Sequence, residues 1–258
     1  MKEIDREAGV HGRAWDHMHG GYFADPAVAA PLLDVVAAAV ARGRPDVIAD
    51  LGGGTGFLLG EILRRDLAPA SRLVNADASV AQLEQVRHPR LSTVCVALDE
   101  LRRAQLAQPG ERLLFLMRSV LHYAGRDGLN PLLARLRAQL QPGEGFVHQT
   151  ACFEEARDAE CINRLYALLR TGKWYPTEAD LRVRLAAAGW SVTATAAAAS
   201  LPLSADELGE RYHRTPAQLA EIRRALLEEF GDTSCVFDAS PTSFCAYLPY
   251  TIFSCLAA

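Results

Sequence analysis

No apolar run long enough to span a bilayer is expected in this chain. One of its more extended low-charge stretches, residues 192–203, is rich in alanine and threonine and too short and polar to span a bilayer. The opening residues Met1-Lys2-Glu3-Ile4-Asp5-Arg6-Glu7 lack the apolar core of a signal peptide, so a cytoplasmic protein that leaves membranes alone is expected. Excess positive charge is also missing. A formal charge of -4 and a pI near 6.0 give no overall attraction for nucleic acid, which is not expected as a partner. The six cysteines (Cys95, Cys152, Cys161, Cys235, Cys245 and Cys255) form no C-x-x-C pair and no His/Cys cluster. They are therefore expected to be reduced thiols, with no metal centre. Half of the 258 residues are apolar, enough for one large core with an appended subdomain.

The most informative segment is Asp50-Leu51-Gly52-Gly53-Gly54-Thr55-Gly56, which follows the strand-like Val47-Ile48-Ala49 and precedes a helical pattern beginning at Phe57. A glycine-rich turn between strand and helix brings backbone N–H groups close to a ligand and aims the positive helix end at it. The dinucleotide fingerprint G-x-G-x-x-G is absent, because Gly52, Gly54 and Gly56 read G-x-G-x-G, which disfavours an oxidoreductase. Strands are expected near 46–50, 72–77, 92–97, 112–118 and 145–151, with helices between them. That alternation predicts a doubly wound, parallel α/β sheet with ligands at the carboxyl ends of its strands.

This pattern resembles the class I S-adenosylmethionine-dependent methyltransferases of the small-molecule type, in register over roughly residues 45 to 200. The likeness rests on the glycine loop with Asp50, on Asn75-Ala76-Asp77-Ala78-Ser79, on Val96-Ala97-Leu98-Asp99, and on residues 113–122 ending in Val120-Leu121-His122. Gln141-Pro142-Gly143-Glu144-Gly145 and Ala186-Ala187-Ala188-Gly189-Trp190 extend it. It implies a seven-stranded, mostly parallel Rossmann-like sheet and S-adenosyl-L-methionine as cofactor. Asp50, Gly52, Gly54, Gly56, Asp77, Ala78, Leu98, Asp99 and Arg118 would bind that cofactor, Asp77 through the ribose hydroxyls and Asp99 through the adenine amino group. It further implies an antiparallel last strand, 242–256, beside the sixth. The chain then divides into an N-terminal helical cap, 1–44, and a methyltransferase domain, 45–258, containing a helical insertion at 202–240. The insertion would serve either as part of a substrate lid or as a solvated decoration.

The implied reaction is methyl transfer to oxygen, nitrogen or carbon of a small metabolite, with a non-methylating cyclase on the same fold as the alternative. The donor is already activated, so the protein must orient the acceptor, exclude water and, for weakly acidic acceptors, remove a proton. His122, at the exit of the fourth strand, and His148, inside the fifth, are the candidate bases. Plant-type O-methyltransferases carry a catalytic histidine just before a Gly-Lys turn, but Gly172-Lys173 here follows Leu168-Leu169-Arg170-Thr171. Trp15, Tyr22 and Phe23 are candidates for covering the cofactor or stacking on a flat substrate. His17 and His19 are two residues apart and do not share a helix face, against a metal site. Arg118 would face either the cleft, meeting an anionic group, or solvent.

Overall fold

Asp25 and Pro26 set the first long helix in the computed structural model, which describes residues 15–231 and 235–258, with side chains from His19 onward. Asp25 accepts the Ala27 N–H at 2.7 Å, Pro26 occupies the first turn where its missing N–H costs nothing, and Arg44 ends the helix Pro26–Gly43 in a left-handed conformation. The helix has the length and mean hydropathy, 1.4, of a bilayer span. Its buried side chains Ala29, Leu32, Leu33, Val36 and Ala39 nevertheless lie in one cluster with Ile48, Leu114, Leu116, Val147 and Ile252 of the sheet. It is thus a layer of the core, preceded among the described residues by the 3-10 segment Trp15–Ala24.

The sheet contains β1 (Val47–Leu51), β2 (Arg72–Asp77), β3 (Leu91–Cys95), β4 (Leu113–Arg118), β5 (Gly145–Ala151), β6 (Trp190–Ser204), β7 (Phe237–Ala239) and β8 (Phe244–Ala257). Its order is β3-β2-β1-β4-β5-β8-β6. The first five strands pair in parallel, and β8 runs antiparallel between β5 and β6. The seven expected strands are present, and an eighth joins them. The reason is length: β5 pairs only with Tyr250–Leu256 of β8, leaving Phe244–Ala246 to bind β7. The 202–240 insertion is therefore not wholly helical.

Helices cover both faces. Leu58, Leu59 and Ile62 of the helix Phe57–Arg64 join the cluster under Pro26–Gly43. Leu129, Leu133 and Leu136 of Gly125–Ala138 and Leu181 and Leu185 of Glu178–Ala187 cover the other face. The insertion helices Ala205–Tyr212 and Pro216–Phe230 begin at capping boxes, Ser204 with Glu207 and Thr215 with Gln218. They are no solvated decoration: Leu208, Tyr212, Leu219, Ile222, Leu226 and Phe230 share a buried cluster with Tyr22, Tyr166, Tyr175 and Tyr250.

Candidate cofactor and substrate site

The loop after β1 turns back on β2. Gly52 donates its N–H to Ala76 O at 2.7 Å, Gly54 donates to Asp77 Oδ2 at 3.0 Å, and Asn75 Nδ2 returns a bond to Gly54 O at 2.8 Å. Gly52, Gly54 and Gly56 all take positive φ, at +71°, +56° and +83°, which explains the alternate spacing. The glycine between them is held for a different reason. A Cβ on Gly53 would stand 2.0 Å from Asn75 Oδ1 and 2.7 Å from Asp50 Oδ2. Local pattern gives Gly53 and Asn75 no separate role, because their constraint comes from contact between neighbouring strands.

Asp50 is fully buried, and Oδ2 has no hydrogen-bond partner among the described residues. Burial, then the charge of Asp77, pushes its carboxyl up to about 7, with Arg118 partly opposing. Burial likewise raises Asp77, against N–H bonds from Ser79 and Gly54. Two carboxyl groups in one cradle repel a pyrophosphate. They suit a ligand that brings a cationic group to Asp50 and hydroxyl donors to Asp77. Ala78 follows Asp77 on the surface, and Leu98, buried, and Asp99, exposed, sit in a turn beyond β3 on the same edge.

Arg118 does not leave the sheet for solvent. Its guanidinium is buried and donates to Phe23 O at 3.1 Å and Tyr22 O at 3.3 Å, lying 5.2 Å from the Phe23 ring centre and 5.6 Å from that of Tyr22. Among the described residues its guanidinium thus ties the cap to β4 and is engaged with backbone carbonyls. Tyr22 OH donates to Ala199 O of β6, receives Gln149 Nε2 at 3.4 Å and stacks on Tyr250 at 6.0 Å. His19 in the cap meets Arg211 of the insertion, Nε2 to Nη1 at 2.8 Å. Cap and insertion, the two segments expected to enclose a substrate, therefore touch. The side chain of Trp15 lies outside the described residues.

The two candidate bases occupy different environments. His148 has no exposed surface, is sandwiched between Phe146 at 4.6 Å and Phe253 at 4.9 Å, and bonds Thr150 Oγ1 through Nδ1 at 2.7 Å. Burial pushes its pKa down to about 3. This placement is that of a core histidine and gives no support to a base at His148. His122 lies in the 3-10 turn Leu121–Ala124 just after β4, stacked on Tyr175 at 5.1 Å and against Tyr123 at 4.1 Å. It stands at the carboxyl edge, as expected.

Around it is a feature that no local pattern announces. Tyr22, Tyr123, Tyr166, Tyr175, Tyr212 and Tyr250, six of the chain's seven tyrosines, gather at this edge with Lys173 among them. They come from the cap, the β4 exit, the helix Ala156–Leu168, the loop before Thr177, the insertion and β8. Only the topology brings them together.

No protein-family model matches the chain, and no curated protein matches its sequence. Solved structures do. The YcgJ protein of Bacillus subtilis is 14% identical with a TM-score of 0.63, over 88% of this chain and 98% of that one. The 1,6-didemethyltoxoflavin-N1-methyltransferase of Burkholderia thailandensis, solved with 1,6-didemethyltoxoflavin and S-adenosylhomocysteine, is 18% identical with a TM-score of 0.55, over 99% and 90%. The [4+2]-cyclase SpnF is 16% identical with a TM-score of 0.52, over 88% and 81%. At these identities the likeness is one of fold, and the chain has the fold of the class I S-adenosylmethionine-dependent methyltransferases.

Proposed function

We propose that the chain binds S-adenosyl-L-methionine in the cradle after β1 and transfers its methyl group to a small molecule held under the cap and the insertion. The observation that carries this reading is the buried Asp50 carboxyl, with one oxygen unpartnered among the described residues, beside the Gly53 backbone that no side chain could replace. A cationic amino group fits the first, and close backbone approach fits the second. Asp77 would take the ribose hydroxyls, with Ala78, Leu98 and Asp99 continuing the edge towards the adenine. The cofactor supplies an electrophilic methyl on a positively charged sulfur. The protein contributes orientation and a dry site, because Tyr22, Arg118, Tyr175 and Tyr250 are all buried there.

The experiment is calorimetric titration with S-adenosylhomocysteine, followed by labelled methyl transfer to a metabolite panel. Binding with transfer supports the reading. Binding without transfer to any acceptor is the outcome expected of a cyclase, the activity named for one of the fold's neighbours. Absence of binding refutes both. A cytoplasmic location belongs to the same proposal and would be checked by fractionation.

A further inference from the structure

We propose that Tyr212, its oxygen held by Lys173, accepts the proton of the substrate, and that the substrate is a phenol-like hydroxyl compound. This rests on the methyl-transfer reading above and names its acceptor atom as oxygen. The chain has only two lysines, Lys2 and Lys173, against 25 arginines. Lys173 is 5% exposed. Its Nζ donates to Tyr212 OH at 2.8 Å and lies 4.9, 5.3 and 5.8 Å from the ring centres of Tyr123, Tyr212 and Tyr166. Aromatic faces and a phenolic oxygen thus hold a compact ammonium at the carboxyl edge of the sheet.

The position is fixed by the active-site strand. Trp174 N–H donates to His122 O at 3.2 Å, and Gly172 O approaches within 3.0 Å of where a Cβ on Gly125 would stand. Tyr175 stacks on His122. From Lys173 the cluster runs through Tyr166 and Tyr175 to Tyr250, which shares a 2.6 Å hydrogen bond with Ser119 at the β4 exit. Tyr250 in turn stacks on Tyr22 beneath Arg118, the cation nearest Asp50 in effect.

A phenol becomes a useful base when a positive charge within hydrogen-bond distance stabilises its ionised form. Two other tyrosines of the cluster, Tyr22 and Tyr250, have no ammonium on their oxygen among the described residues. Burial pushes Tyr22 up to about 12 and raises Tyr175 and Tyr250 as well. Tyr212 differs in accepting from the Lys173 ammonium, with a second cation, Arg211, 5.4 Å from its ring centre. Among the groups facing this pair are Tyr123 from the β4 exit, Tyr166 from Ala156–Leu168, Tyr175 from the loop, and Arg211 on the insertion helix itself, with His122 behind Tyr123 and Tyr175.

The step balances. The substrate O–H bond breaks and its proton goes to the Tyr212 oxygen. The freed pair on the substrate oxygen forms the bond to the methyl carbon, while the carbon–sulfur bond of the sulfonium donor breaks and its pair returns to sulfur. The Tyr212 phenolate, the neutral substrate hydroxyl and the sulfonium give the Tyr212 phenol, a methyl ether and a neutral thioether, and Tyr212 then releases its proton to water. Lys173 is a positioning residue and Tyr212 the catalytic one. The tyrosine rings offer an apolar, π-rich wall to a flat acceptor.

The test does not require the natural substrate. The tyrosinate ultraviolet band of the full-length protein is followed against pH, and one of the seven tyrosines is expected to ionise at least about one unit below the ordinary value near 10. That step should vanish in Tyr212→Phe, move above the ordinary value in Lys173→Met, survive in Lys173→Arg, and be untouched in Tyr247→Phe, which alters the tyrosine outside the cluster. A wild-type titration with no early tyrosinate overturns the proposal by itself, even if a variant fails to fold. With p-cresol, catechol and 2-naphthol as probes, Tyr212→Phe should lower kcat by about 10²–10⁴-fold without changing S-adenosylhomocysteine affinity. Transfer to amines alone, or a kcat loss in His122→Ala but not in Tyr212→Phe, also overturns it. Failure to bind S-adenosylhomocysteine refutes the cofactor reading instead, a result the titration does not depend on.

Discussion

Gly53→Ala is the most direct perturbation of the cradle. The added Cβ meets Asn75 Oδ1 at 2.0 Å and Asp50 Oδ2 at 2.7 Å, and neither partner is the loose end of a flexible chain. Both residues are buried, and Asn75 is tied to Gly54 O. Overpacking of this kind costs about 1–3 kcal/mol. Swinging Asn75 aside forfeits its hydrogen bond, roughly a further 0.5–1.5 kcal/mol. At about 2–4 °C per kcal/mol for a chain near this size, Tm should fall by roughly 5–15 °C. Displacing Asp50 should also weaken S-adenosylhomocysteine binding at least about tenfold, or ~1.4 kcal/mol. Gly54→Ala is the informative contrast. Its Cβ would meet only Gln82 Oε1, at 2.8 Å and at the end of a flexible side chain, so its main cost is the left-handed φ, about 1–2 kcal/mol. Thermal unfolding and calorimetry on both variants check this, and a Gly53→Ala protein with wild-type Tm and affinity would refute the steric argument.

Asp77→Ala should weaken S-adenosylhomocysteine binding by about 1.5–3 kcal/mol through loss of charged hydrogen bonds, read by calorimetry on the folded variant. Asp50 stays protonated up to about pH 7 in the fold, and an arriving ammonium favours its carboxylate; binding near pH 6 should therefore release a proton, seen as a buffer-dependent enthalpy. The two buried titrating groups act oppositely on stability. His148 stays neutral down to about 3 while the unfolded chain protonates near 6.5, so its contribution rises with pH across that window; Asp50, ionising near 3.8 when unfolded, makes stability fall between 3.8 and about 7. Denaturant titrations of His148→Phe should accordingly show stability falling more steeply than wild type between pH 4 and 6.5, by up to ~1.4 kcal/mol per pH unit. Arg118→Met removes the tie to Tyr22 O and Phe23 O, and limited proteolysis within 15–24 should become faster while the rest of the chain stays resistant.

Much of this architecture was legible in the sequence because its signals are local. The glycine loop, the Asp25, Ser204 and Thr215 caps and the strand-end acids Asp50 and Asp77 are each decided within a few residues, by backbone conformation or by alternation of apolar runs. Tertiary structure decided whatever depends on residues far apart in the chain. It made Gly53 obligatory through Asn75 on the next strand and kept Arg118 out of solvent as a buried tether for the cap. It moved His148 into a stack of aromatic rings. It also drew tyrosines numbered from 123 to 212 around Lys173. None of these follows from periodicity, since contact between distant segments is set by strand order and by the length of β8 beyond β5, and a residue's chemistry changes with what surrounds it once water is excluded.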